Sequence, residues 1–422
     1  MSRANTAALG IVWLVVFIDL LGFGIVLPVM PRQAGPYLDE LGLSGPAKGA
    51  VIGVLFSVFS LMQFVFSPVW GRVSDRIGRK PVLLISLAGS VVFYALYGLA
   101  VALPTTQSAV VVALLLLCRV GSGIAGASVG TAAAVIADCT PPERRAKGMA
   151  LIGIAFGAGF TFGPLIAYFG LELFDQQPWG VGALASGLSL AALLLALLVF
   201  PETRDPTNKA GKDFFSIRRT REVLAMPAVG TLVLIYFLAI FAFAQFEATL
   251  ALLTEATFGL SVEDNFLVFA LVGAVLTVAG GLYRPLVKKH NEKRLLTLGL
   301  VLMMLGLLGV AGVALQAATL TTAKLGSDWL KPAFYLALAV SVIGFAFVNP
   351  SVSALVSKQA DPSRQGEVLG VNQAFAALGR ILGPLLGSVL FQAGASHTLP
   401  YLAAVGLLAG VLSLLPRTKG AE

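Results

Sequence analysis

Gly71-Arg72-Val73-Ser74-Asp75-Arg76-Ile77-Gly78-Arg79-Lys80 is a densely charged hinge between two long apolar segments, at about 49–70 and 81–103. Arg72, Arg76, Arg79 and Lys80 set four cations at the mouth of two spans, where a membrane protein keeps its cytoplasmic positive charge. Asp75 is the one acid among them. The cations alone read as a basic loop that fixes topology. The spacing is more specific: glycine, three residues, Asp, Arg, one residue, Gly, Arg, Lys.

Outside this hinge the chain is strongly apolar. Of its 422 residues 57% are hydrophobic and 12% charged, and the mean hydropathy is +0.90. A soluble protein carries about 25% charged residues, so lipid is the solvent here. Windows of about 20 apolar residues are long enough to cross the hydrocarbon core. Twelve occur, at about 8–30, 49–70, 82–103, 109–137, 148–170, 181–200, 227–254, 265–286, 295–316, 333–357, 367–391 and 399–416. Backbone amides find no water at that depth, so each window is expected to be a helix. The alternating polarity of a membrane barrel is absent. The expected fold is an all-α polytopic membrane protein of twelve transmembrane helices in two six-helix halves.

The net charge of +8 and pI near 9.6 invite a nucleic-acid partner, but the distribution argues against one. Of the 29 Lys and Arg residues, 23 fall on the side carrying the N-terminus. That asymmetry puts both termini in the cytoplasm, and anionic lipid head groups account for the excess cations. The first window carries Asp19 at its centre and leads into further spans, unlike a cleaved signal peptide. Cys118 and Cys139 offer no disulfide framework and read as packing residues.

The polar break at 201–226, with Lys209, Lys212, Arg218, Arg219 and Arg221, reads as a cytoplasmic linker between halves 1–200 and 227–422. The halves repeat. Residues 140–164 align without a gap, at an offset of 220, with 360–384, so that Pro142 matches Pro362, Arg144 matches Arg364, Gly159 matches Gly379 and Gly163-Pro164 matches Gly383-Pro384. An even number of spans separates the copies, which makes them parallel repeats, suited to halves that rock about a midplane site. Gly159, Gly163, Gly379 and Gly383 let helices approach closely, and Pro164 and Pro384 are expected to bend them. In the second copy of the hinge, Gly281 to His290, Pro285 stands where the first has Asp75.

Four ionisable residues lie within spans: Asp19, Arg119, Glu247 and Arg380. Each costs at least about 2.5–3.5 kcal/mol on insertion scales and needs a partner or a water-filled cavity. Buried ion pairs holding helices together are one reading, proton-coupling groups around a cavity the other. Asp19 and Arg119 each sit about 15 Å from a membrane face at 1.5 Å per residue, near the midplane, and can meet if their helices are neighbours. Arg119, Gly123, Gly126 and Gly130 share one helix face, which leaves room beside the guanidinium. A guanidinium favours an ionised carboxylate and desolvation a neutral one, so closing a cavity on one side would make Asp19 load or release a proton. Glu247 shares a face with Phe243, Ile240 and Tyr236, which suits a lipophilic cation or, alternatively, forms a lipid-facing ridge. Gln63, Asn349, Asn372 and Gln373 are further candidates to line a cavity.

The hinge pattern resembles the loop between helices two and three of the major facilitator superfamily of secondary transporters, with every position filled. Cys118-Arg119-Val-Gly-Ser-Gly-Ile-Ala-Gly-Ala127 through Ile136-Ala-Asp138 looks like helix four of the twelve-span drug:proton antiporters, the tetracycline exporters in particular. Residues 17–31 are similar to their first helix, and Gly159 through Pro164 resembles their antiporter motif, with Ala167-Tyr168 in place of its trailing glycines. The resemblance implies the major facilitator fold, a central cavity, alternating access, Arg119 in proton coupling, and Gly71, Asp75, Arg76, Gly78, Arg79 and Lys80 as a gating loop. Asp75 would steady the outward-open state by meeting the helix that begins near Glu367, as a carboxylate does at a helix N-terminus. Tetracycline exporters carry a histidine in helix eight, whereas 265–286 has no ionisable residue until Arg284.

Gly121-Ser-Gly-Ile-Ala-Gly126 and Gly126-Ala-Ser-Val-Gly130 fit a dinucleotide fingerprint and a nucleophile elbow, but lie mid-span with no preceding strand. His290 and His397, the only histidines, lie in loops on opposite sides. No phosphate-binding Gly-x-x-x-x-Gly-Lys-Ser/Thr occurs, and no cofactor is expected. The resulting expectation is a monomeric secondary transporter, not an enzyme, in a bacterial inner membrane, exporting small amphipathic molecules against protons. A same-fold transporter of a lipid, sugar or metabolite is the alternative, and a channel or intramembrane enzyme the remote one.

Overall fold

The computed structural model describes residues 3–26, 28–141, 145–204, 217–323, 329–359 and 365–415. Among them every regular element is helical, as it must be where lipid leaves backbone groups only each other to bond. In chain order these are α1 (Arg3–Val26), α2 (Met30–Glu40), α3 (Gly45–Ile77), α4 (Arg79–Ala102), α5 (Ser108–Ala125), α6 (Val129–Cys139), α7 (Arg145–Leu173), α8 (Trp179–Val199), α9 (Ile217–Leu224), α10 (Pro227–Phe258), α11 (Val262–Lys289), α12 (Glu292–Ala323), α13 (Leu330–Gln359), α14 (Gln365–Ala393) and α15 (Leu399–Leu414). Ten spans among the described residues are long and apolar enough to cross a membrane, α5 and α6 counting as one. The helices α7 and α15 stand where the sequence places spans five and twelve.

Three features differ from expectation. The hinge 71–80 is no loop: α3 runs to Ile77, α4 starts at Arg79, and Gly78 alone makes the turn at φ 109°. Left-handed backbone of this kind favours glycine. The fourth span is interrupted by a 3₁₀ turn, Gly126–Ser128. Finally, α2 follows span one, with Pro31 in its first turn, where proline costs no helical hydrogen bond. The Tyr37 hydroxyl of α2 donates to the Leu103 carbonyl at 2.9 Å, and Tyr97 bonds Gln33. Residues 142–144 and 360–364 of the repeat, and 205–216 of the linker, lie outside the described residues.

The helices group into two compact units. The first comprises Met1–Gly42, Val58–Phe214 and Val262–Gly273. Within it α7 packs along α1 and α8 along α4. A Cβ on Gly163 would stand 2.9 Å from the Leu21 carbonyl oxygen, and one on Gly24 2.9 Å from that of Gly159, so the α1–α7 seam is a contact of bare backbones. The opening turns of α11 join this unit by the same device, Gly273 resting on Phe160 and Thr161 of α7.

The second unit comprises Leu43–Ser57, Phe215–Ser261 and Ala274–Glu422. Here α14 lies along α10 as α7 lies along α1, with Gly379 and Gly383 against Phe237, Phe241 and Ala244. The repeat in sequence is therefore a repeat in packing. Pro164 and Pro384 both lie inside continuous helices, α7 and α14. The first turns of α3 belong to this unit: Gly53 rests on Pro384 and Leu385, and Ser57 Oγ donates to the Ile381 carbonyl.

The α4–α8 seam gives a direct test of backbone contact. A Cβ on Gly182 would lie 2.6–2.8 Å from the backbone of Gly98 and Tyr94, whereas one on Gly187 meets nothing within 4 Å. Gly182→Ala is expected to lower the thermal unfolding midpoint in detergent, with a cost of about 1–3 kcal/mol from overpacking. Gly187→Ala leaves the midpoint unchanged or raises it, since alanine is the better helix former.

Candidate functional site

At the turn between α3 and α4, Arg79 Nη1 donates to Asp75 Oδ1 at 2.6 Å and to Ser74 Oγ at 2.7 Å, and its Nε reaches Asp138 Oδ2 on α6 at 3.1 Å. One guanidinium thus ties the ends of α3, α4 and α6. The exposed N-terminus of α4 is met by a residue the sequence reading passed over. Glu202, just beyond α8, accepts the backbone N–H groups of Arg79 and Lys80 at 2.9 and 3.1 Å, and those of Thr203 and Arg204 at 3.0 Å each. A Cβ on Gly78 would collide with its Oε2, a second reason for glycine there. Arg204 Nη1 donates to the Arg76 carbonyl at 2.7 Å. Partial burial opposes ionisation of Glu202, but the four backbone donors outweigh it and hold its carboxyl below the ordinary 4.5. The one sequence signal was an acid placed directly behind a span end.

Deeper in the same unit, the 3₁₀ turn interrupts the helical ladder of span four, and the carbonyls around it find side chains instead. Trp70 Nε1 donates to Ile124 at 2.6 Å, Ser86 Oγ to Ala125 at 2.8 Å, and Gln63 Nε2 to Gly126 at 3.1 Å. Re-satisfying freed carbonyls in this way is what makes a broken helix tolerable at membrane depth. The last residue of the turn, Ser128, points its hydroxyl at Asp19, 2.8 Å from Oδ2, and Ser90 Oγ lies 3.4 Å from Oδ1.

Asp19 and Arg119 are 4% and 3% exposed, both within this unit. Among the described residues the carboxylate makes its hydrogen bonds to serines and not to Arg119. The guanidinium sits 4.5 Å over the Phe59 ring, a cation–π geometry. Tyr94 stands within electrostatic reach of both charges. The expected room beside Arg119 is absent: a Cβ on Gly123 would lie 2.6 Å from the Phe59 carbonyl oxygen, one on Gly126 3.0 Å from Gln63 Nε2, and one on Gly130 3.5 Å from Ser67 Oγ. These glycines are the seam with α3, met one for one by its residues 59, 63 and 67, one turn apart along the helix. Gln63 is accordingly a backbone partner rather than a cavity wall.

In the second unit, Tyr236 donates to Asn349 Oδ1 at 2.6 Å, and Gln373 lies near its hydroxyl. Arg380, at mid-length of α14, is exposed and acts through space on Glu247 and Tyr236. Tyr236, Asn349, Gln373, Glu247 and Arg380 therefore lie within reach of one another in this unit. Two further candidates of the unit, Phe243 and Asn372, face elsewhere. Phe243 is buried, stacked 3.7 Å from Phe345, and so is core rather than the face of a binding site. Asn372 is fully buried with neither polar atom of its amide paired among the described residues.

The family model of the Major Facilitator Superfamily matches residues 12–323 and 309–422. The chain belongs to this superfamily. It is a multi-pass integral membrane transporter rather than an enzyme. It is 29% identical to the bovine (Bos taurus) major facilitator superfamily domain-containing protein 10, over 96% of this chain and 91% of that one. It is 30% identical to the class E tetracycline resistance protein of Escherichia coli, over 90% and 86%. Among solved structures it resembles the human organic anion transporter MFSD10, at a TM-score of 0.68 and 25% identity over 98% and 100% of the two chains. The D-xylose–proton symporter shares the fold, with a TM-score of 0.77 and 18% identity over 99% of each chain.

Glu202 yields a pH-dependent test. A carboxyl held below its ordinary value stabilises the folded state when ionised, so its contribution is present above 4.5 and disappears as the pH falls through the folded-state value. Glu202→Gln is expected to lower thermal stability at pH 7 by under about 1 kcal/mol, since the group is exposed. The difference from wild type closes in melts run progressively below pH 4.5.

Proposed function

We propose that the chain is a proton-coupled antiporter that exports small amphipathic molecules by alternating access of its sequence halves, 1–200 and 227–422, joined by the linker 201–226. It works as a monomer, in a bacterial inner membrane with both termini cytoplasmic. The observation that carries this reading is Asp19, an acid buried at mid-span whose partners are hydroxyls. A serine hydroxyl both donates and accepts. Ser128 and Ser90 can therefore donate to a carboxylate and accept from a carboxylic acid, so either protonation state finds a partner without a change of side chains. A proton is also sufficient as a driving force. One charge moved through 100 mV gives about 2.3 kcal/mol and each pH unit about 1.4, against about 2.8 for a hundredfold substrate gradient. Likeness to tetracycline resistance proteins supports the export direction. Arg119, steadied by Phe59, is read as the charge that biases Asp19 through Tyr94, and the Asp75–Arg79–Asp138 cluster as the gate.

A second reading, a same-fold transporter of a metabolite that travels with protons, is favoured by the likeness to MFSD10, whose human member is described as an organic anion transporter.

Efflux of a fluorescent amphipathic dye from energised cells decides the main reading. Accumulation should rise when an uncoupler is added and should track the external pH. Asp19→Asn is expected to abolish the proton dependence, while Ser128→Ala weakens it. Dye levels indifferent to uncouplers would refute proton coupling. Uptake of an organic anion driven by a pH jump in proteoliposomes would favour the second reading.

A further inference from the structure

We propose that the polar cluster of the second unit is an anion-recognition site: Arg380 seats a carboxylate on the substrate, and the side chains of Tyr236, Asn349 and Gln373 orient it. This rests on the transporter reading above and names the substrate chemistry of one of its sites.

Arg380 stands at mid-length of α14 and is exposed, with Gln373 two turns away on the same helix face and also exposed. An arginine at the centre of an apolar span does not face lipid; it faces protein or water-filled space. Among the described residues its guanidinium makes no hydrogen bond and no ion pair, so five N–H donors in a planar fork are open to a ligand. That fork matches the two oxygens of a carboxylate, which it binds bidentately. The neighbours suit the same ligand. Tyr236 is fixed by its bond to Asn349 Oδ1, which leaves the exposed Asn349 with its NH₂ donors. Gln373 adds a further amide.

Glu247 is the competing charge. It lies within electrostatic reach of Arg380 without a hydrogen bond among the described residues. On sequence alone, this acid with aromatic neighbours suggested a cationic substrate. The structure reverses the sign, because an exposed guanidinium repels a cation, and Phe243, the nearest ring of that face, is already stacked on Phe345. An incoming anion takes over from Glu247 as the counter-charge of Arg380.

The probe is 1-naphthoate, compared with the isosteric neutral 1-naphthamide, titrated into the purified full chain by calorimetry. Naphthoate is expected to bind and naphthamide to bind at least about tenfold more weakly, the worth of a charge-assisted hydrogen bond. Arg380→Gln should abolish the preference for the acid, Arg380→Lys should restore it in part, and Glu247→Gln should tighten naphthoate by removing its competitor. Equal binding of acid and amide, no binding of naphthoate, or an Arg380→Gln variant that elutes and melts like wild type and keeps the preference would each overturn the proposal. The dye-efflux assay separates the two readings. Naphthoate binding lost at Arg380 in a protein whose efflux ignores protons leaves the anion site standing without the antiporter. Proton-driven efflux in a protein indifferent to Arg380→Gln leaves the reverse.

Discussion

A polar group carried to the depth of the acyl chains has no water to fall back on, and much of the organisation of this transporter follows from how such groups are answered. An unpaired amide or hydroxyl there costs several kcal/mol, so helices are obligatory and breaks in them must be repaired by side chains. Span four shows the repair. Trp70, Ser86 and Gln63 each give one donor to three successive carbonyls around the 3₁₀ turn. Those three donors answer the carbonyls at the turn whose last residue, Ser128, faces Asp19.

The same constraint divides the charges carried within the spans by unit. In the first, an acid is answered by hydroxyls that suit it ionised or neutral, and the arginine rests on an aromatic ring. In the second, the arginine makes no hydrogen bond among the described residues, and its acid acts on it through space. A carboxylate among hydroxyls thus stands in one unit, and a guanidinium near exposed amides in the other. The internal repeat, so clear in the way α14 lies along α10 as α7 lies along α1, stops at these charged side chains.

Much of this was legible in the sequence, and the failures have identifiable causes. Apolar length gave the helices and their class, because it reflects the cost of lipid burial, which is large and summed over many residues. The gathering of Tyr236, Asn349, Gln373, Glu247 and Arg380 was foreshadowed by their polarity in apolar spans. A single 3₁₀ turn changes hydropathy not at all, so the break at 126–128 was invisible. The glycine face beside Arg119 read as empty space because a missing side chain looks the same whether a helix or a cavity fills it; only Phe59, Gln63 and Ser67, one turn apart on the facing helix, distinguish the two. The hinge read as a loop because charge and glycine are common in loops, whereas here the i, i+4 pair Asp75–Arg79 spans a turn made by Gly78 alone.

Glu202 also bears on where the first half of the chain ends. Hydropathy closes that half at residue 200, yet the carboxylate that finishes the start of α4 comes two positions later, and Arg204 still reaches back to Arg76. The ends of α3, α4 and α8 are thus buckled together by residues that composition assigns to the connecting segment. Anyone splitting the polypeptide into separately expressed lobes, or grafting a reporter between them, has to cut downstream of Arg204 for the amino-terminal piece to keep its own clasp.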